Sequence, residues 1–141
     1  MLADKRLLIA ALVLGAFLAP ADAASASSHT FNLRLRASDA IPHGDHNDSA
    51  NAAVTINPGK HTICWTFSSY GGIGSPKRAK IGKAPRRKNG PIVVTLSNPF
   101  VPRGCTTVAV QTLTPILAHP TAYYIIITNP LHPNGSARAQ L

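Results

Sequence analysis

The sequence predicts an all-β fold, an antiparallel β-sandwich, and three observations predict it. Short runs of alternating or continuous β-branched and aromatic residues recur from Phe31 onward, each broken by Pro, Gly or Asn. The last twenty residues read as strand, turn and strand. No heptad or internal repeat competes with that pattern, and seven or eight such runs in about 110 residues are the spacing of a sandwich. The expected topology is a Greek key of immunoglobulin-like or Cu/Zn-dismutase-like type, with one short helix before the penultimate strand.

The elements follow in order. Met1 to Lys5-Arg6 is a short positive region, Leu7 to Ala19 an uncharged apolar run, and Pro20-Ala-Asp-Ala23 supplies small residues for a signal peptidase. This predicts a signal peptide over 1–23, cut after Ala23 (Ala26 is the alternative), a spacer over 24–30 and a β domain over 31–141. The run is too short for a bilayer-spanning helix, which needs about 20 apolar residues. No other stretch approaches that length, so the mature chain has no transmembrane segment. A buried N-terminal helix is the competing reading.

Phe31, Leu33 and Leu35 alternate with Asn32, Arg34 and Arg36 in a half-exposed first strand. After a polar loop over Asp39–Asn51, Ala52, Val54 and Ile56 mark a second strand. Asn57-Pro58-Gly59 turns it into a third, where Ile63, Trp65 and Phe67 share the inward face and Trp65 is a core anchor. Gly71-Gly72-Ile73-Gly74 reads as a flexible hairpin connection; lacking a strand before and a helix after, it is no dinucleotide loop. Strands are expected near Ala79–Gly82, at Pro91–Leu96 and at Cys105–Val110. Thr114-Pro115 predicts a helix start, with a side-chain cap and proline at the first position, and Pro120 its stop. Ala122–Asn129 is a strand covered on both faces. Asn134-Gly135 predicts a tight hairpin with positive φ at both residues. In the closing strand Ala137, Ala139 and Leu141 alternate with Ser136, Arg138 and Gln140, so the chain ends at a domain edge.

Cleavage after Ala23 leaves 118 of the 141 residues, one domain by length. Cys64 and Cys105 are an even pair in an exported chain, which predicts a disulfide. A redox or metal-binding pair is the rival reading, but they lie 41 positions apart with no Cys-x-x-Cys spacing.

Taken together, the Asn-Pro-Gly turn, Ile63-Cys-Trp-Thr-Phe67, the Gly-rich loop, Gly90-Pro-Ile-Val-Val-Thr-Leu96, Gly104-Cys105, the short helix, Tyr123-Tyr124 and the tail Asn134-Gly-Ser-Ala-Arg-Ala-Gln-Leu141 resemble the CHRD domain, a module named from chordin and found in many small exported bacterial proteins. The likeness runs from Phe31 to Leu141. It implies a β-sandwich-like fold and an exported location, and no activity. Members commonly carry a His-Ile-His segment and a further His near the Tyr-containing strand. Here those places read Lys80-Ile81-Gly82 and Thr128-Asn129, none a good transition-metal ligand.

Two groups of residues remain as candidate sites. His43-Gly-Asp-His46-Asn-Asp48 places two imidazoles and two carboxylates in one loop. A divalent metal held by His43, Asp45, His46 and Asp48 is the metal-binding alternative, although neighbouring loop residues converge on an ion only with a distant further ligand. The plainer reading is a solvated loop. His29, His61, His119 and His132 read as isolated surface residues. Catalysis has little to stand on: the chain contains no Glu, and its mature Asp residues lie in one loop. No catalytic residue and no cofactor are expected.

Charge is the second handle. The chain carries +9, and removal of 1–23 takes two charges of each sign. Lys77, Arg78, Lys80, Lys83, Arg86, Arg87 and Lys88 fall within twelve residues. Such a cluster attracts polyanions; alternatively it only keeps the loop solvated. It has no interleaved aromatics and no recognition helix, which argues against sequence-specific nucleic acid. The expectation is a secreted or periplasmic, non-catalytic binding or structural module whose partner is an anionic polysaccharide, a lipopolysaccharide or an acidic protein.

Overall fold

A computed structural model describes residues 27–141, and Gly15 ahead of them; the expected signal peptide and most of the spacer lie outside the described residues. Eight strands follow one another as β1 (His29–Arg36), β2 (Ser49–Asn57), β3 (Thr62–Ser68), β4 (Arg78–Lys83), β5 (Ile92–Ser97), β6 (Arg103–Thr107), β7 (Tyr123–Thr128) and β8 (Ala137–Gln140). A helix, α1 (Val110–Ala118), precedes β7. The first strand begins two residues inside the segment expected to be spacer.

All pairings are antiparallel, in the order β5-β4-β7-β8-β1-β2-β3-β6. The outer strands β5 and β6 approach each other, so one coiled sheet nearly closes and its opposing halves form the two layers. The links β3–β4 and β6–α1–β7 each pass over two strands, which makes the closure a Greek key. Gly71–Gly74 therefore belongs to a crossover and not to a hairpin. The outer strand β6 occupies the side of β3 away from β2, and buried Ile73 anchors the crossing segment.

Alternation builds the interior. In β2 every second residue is buried, and β3 turns Ile63, Trp65 and Phe67 inward as its pattern predicts. Trp65 is 5% exposed, and its indole N–H donates to the Val101 carbonyl at 3.0 Å, which satisfies the one polar atom of the ring. Leu35, Val54, Ile56, Ile81, Ile125 and Ile127 complete the centre, and Leu113 and Ile116 of α1 pack against it. Each such side chain contributes about 1.5–3 kcal/mol through burial. Cys64 and Cys105 are directly opposed in the β3–β6 register and form the expected disulfide, with Cα atoms 4.0 Å apart.

The helix differs from its expected form. It starts at Val110, four residues before Thr114, and Pro115 lies inside it. The Thr114 hydroxyl donates back to the Val110 carbonyl at 2.9 Å instead of capping a new start. Burial of Leu113 as well as Ile116 draws the earlier turn into the helix, so tertiary packing overrides the Thr-Pro signal. Pro120 ends it as predicted, at the head of a short 3-10 turn over Pro120–Ala122.

The β7–β8 connection also departs from a two-residue turn. Asn129 and Ser136 bound a wider loop in which only Gly135 has positive φ (139°). The Asn129 side chain accepts the His132 N–H at 2.7 Å, and the Gly135 N–H bonds to the His132 carbonyl at 3.1 Å. Local side-chain bonding thus selects a turn over His132–Gly135.

β7 is buried along its full length, as its continuous apolar run predicts. Ile125 and Ile127 enter the barrel, while Tyr124 and Ile126 join Ala84 in a second small apolar cluster. Segments 37–48 and 84–90 cover that outer face. They bury Ser136, just ahead of β8, and Arg138 within it to 0% and 1% exposure. The polar side of β8 is therefore an interior, not the open edge expected of it.

Candidate functional site

The basic run divides into two parts. Arg78, Lys80 and Lys83 ride on β4, with Lys77 just ahead of it. Lys80 is half-buried, and Lys83 holds its ammonium 5.8 Å from the Tyr123 ring centre. Arg86, Arg87 and Lys88 form the exposed turn of the β4–β5 loop, closed by the Lys88 N–H bonding to the Pro85 carbonyl at 3.2 Å. Arg87 has φ 65°, in the left-handed region.

That turn is fixed from below by a residue the sequence did not point to. The buried Arg138 guanidinium stacks 3.7 Å from the centre of the Tyr124 ring. It donates to the carbonyls of Lys88 (2.6 Å) and Pro85 (3.1 Å), to the Gln140 side chain (3.2 Å) and to Asn89 (3.4 Å). Its planar fork suits such a divided set of acceptors, which an ammonium would not match. Burial lowers the Arg138 pKa from its ordinary value, and the Tyr124 and Asp39 charges act in the opposite direction. Gln140 adds bonds to the Ala84 and Thr121 carbonyls, and the Tyr124 hydroxyl donates to the Gly90 carbonyl at 3.1 Å and accepts the Gly90 N–H at 3.2 Å. The Asn89 amide donates to Ile41 and ties the loop to segment 37–48.

Arg34 and Arg36 lie exposed on the outer side of β1, and Arg34 shares a cleft with Arg86 of the turn. A cleft of 270 Å³ is lined by Asn32, Arg34, Asp39, Arg86, Arg138 and Gln140. Of the seven basic residues in the run, only Arg86 makes an ion pair among the described residues, with Asp39 at 3.6 Å and largely exposed. Such a pair is weak. The β1 alternation made Arg34 and Arg36 legible as outward residues; the closeness of Arg34 to the β4–β5 loop follows from β8 pairing with β1, which the sequence did not disclose.

The His-Asp loop resolves differently from expectation. His43 turns its Nδ1 toward the Ala40 carbonyl at 3.1 Å, and neither His43 nor His46 joins the carboxylates. Asp45 and Asp48 converge instead with His132, from the β7–β8 loop. Asp48 is 2% exposed and His132 is half-buried, so neither is the free surface residue expected.

The three places where the resemblance implies histidines do not fit a metal. Lys80 brings a cation and Thr128 a neutral hydroxyl. Gly82 brings no side chain, and the space a Cβ would need is filled by Tyr124, whose Cζ lies 2.3 Å from that point.

No helix among the described residues is long and apolar enough to cross a membrane. Comparison with curated proteins gives no match, and comparison with solved structures gives none. Residues 31–141, from the first inward phenylalanine to the last residue of the tail, match the CHRD domain family, and the chain belongs to that family.

Proposed function

We propose that this protein is an exported, non-catalytic binding module whose partner is an anionic polymer of the cell envelope or extracellular space, an acidic polysaccharide or a lipopolysaccharide. One observation carries the reading: Arg86, Arg87 and Lys88 project from a turn whose backbone is held by Arg138, Tyr124 and Gln140, with Arg34 alongside. Exposed like charges repel, and a flexible loop would disperse them; a fixed backbone keeps them close, at a standing electrostatic cost that a polyanion relieves. The disulfide and the N-terminal signal pattern support export. The absence of Glu from the sequence, and of carboxylates on opposing strands among the described residues, supports a non-catalytic role.

The test is retention on heparin and on lipopolysaccharide resins. The wild type is expected to elute late and to elute earlier as salt rises. The variant R86Q/R87Q/K88Q is expected to elute at clearly lower salt on at least one resin. Unchanged elution on both contradicts the reading.

A further inference from the structure

Three candidate metal ligands from distant parts of the chain meet at one corner of the barrel. Asp45 and Asp48 come from the β1–β2 loop and His132 from the β7–β8 loop, and one ligand atom of each lies within 4.8 Å of the others. Two independent features single out this corner. First, the His132 Nε2 is shut off from solvent yet has no hydrogen-bond partner. Asp45 Oδ1 lies 3.2 Å away, without the alignment of a hydrogen bond. Second, Asp48 is a buried carboxylate with no cation at ion-pair distance among the described residues. Its Oδ2 accepts the Ser136 hydroxyl and the Asp45 N–H, which orient it without neutralising it. A buried carboxylate of that kind is costly unless a cation joins it.

We propose that Asp45, Asp48 and His132 bind a divalent transition cation, Zn²⁺ or Mn²⁺. Ligand atoms about 2.1 Å from a tetrahedral ion are about 3.4 Å apart, close to the 3.2 Å between His132 and Asp45. The gap between Asp48 and His132, between 4.0 and 4.8 Å, must close by about 0.6–1.4 Å for a tetrahedral ion, a movement that falls to the exposed β7–β8 loop carrying His132. One imidazole with two carboxylates favours Zn²⁺ or Mn²⁺ over Ca²⁺, which takes oxygen ligands. Two carboxylates balance the ion's charge, and water completes its shell on the open side of Asp45. Ser136, just ahead of β8, holds Asp48 in place, a supporting bond of the kind that orients metal-binding carboxylates. The site is separate from the basic turn and does not depend on polyanion binding.

Chelator-treated protein titrated calorimetrically with ZnCl₂, MnCl₂ and CaCl₂ tests this. One equivalent of Zn²⁺ or Mn²⁺ is expected to bind with Kd below about 100 μM and to raise the melting temperature. D45N and H132Q are each expected to weaken binding by at least about tenfold, whereas H43Q/H46Q binds as wild type. In the wild type, Zn²⁺ is expected to shift the imidazole NMR signals of His132 and leave those of His43 and His46 in place, a readout that needs no variant to fold. Failure of both transition ions to bind, binding of Ca²⁺ alone, wild-type affinity in D45N and H132Q, or shifts confined to His43 and His46 would each overturn the proposal.

Discussion

Arg138 is buried and divides its guanidinium among the Lys88 and Pro85 carbonyls, Asn89, Gln140 and the Tyr124 ring. Replacing it with Met removes a buried cation but leaves the Pro85 and Lys88 carbonyls without their donor. R138M is therefore expected to lose about 2–4 kcal/mol of stability in urea unfolding, with faster amide exchange over 84–90. R138K is expected to recover little, because an ammonium cannot stack on Tyr124 and span both carbonyls. Burial depresses the folded-state pKa of this base, so its cost is present at every pH below that lowered value and lifts only as the solution becomes strongly alkaline. The stability difference between wild type and R138M is thus expected to stay flat between about pH 5 and 8. Gly82 is the second sensitive position. A Cβ there meets the Tyr124 ring, which is buried, hydrogen-bonded to Gly90 and covered by Arg138, so G82A is expected to cost about 1–3 kcal/mol in the same assay. In the sequence Arg138 looked like an outward residue of a two-period strand. Alternation says which residues share a face, but not whether a loop far away in sequence covers it.

Among the elements, strands were legible and their neighbours were not. β2, β3 and β7 follow from alternation, the Asn-Pro-Gly turn and a continuous apolar run, because those signals are local. α1 was placed late, since the Thr-Pro signal is local and Leu113 is drawn inward by the barrel. L113A is expected to lose about 2–5 kcal/mol, read as a shift in urea midpoint. The Gly-rich segment reads as a hairpin because nothing in it reveals that β3 pairs with β6. That pairing is reinforced by the Cys64–Cys105 disulfide, which joins directly opposed residues and fastens the outer strand. C64S/C105S is expected to cost about 2–4 kcal/mol and to keep its β-type circular dichroism, since the ladder beside it remains.

For the whole molecule, composition gave the sign of the charge and topology gave its placement. β8 closes the sheet against β1 and brings Arg34 beside a loop some fifty residues away. Lys60 and Arg103 lie elsewhere, in the β2–β3 turn and on β6, which stands opposite β8 around the barrel. Polyanion binding through a localised surface differs from simple attraction to a positively charged protein in how it responds to charge removed at these two places. The decisive measurement compares R86Q/R87Q with K60Q/R103Q, two variants of equal net charge, by affinity for heparin and for lipopolysaccharide at fixed salt. The account predicts that R86Q/R87Q loses most of the affinity and K60Q/R103Q little of it; equal losses in the two variants would contradict it.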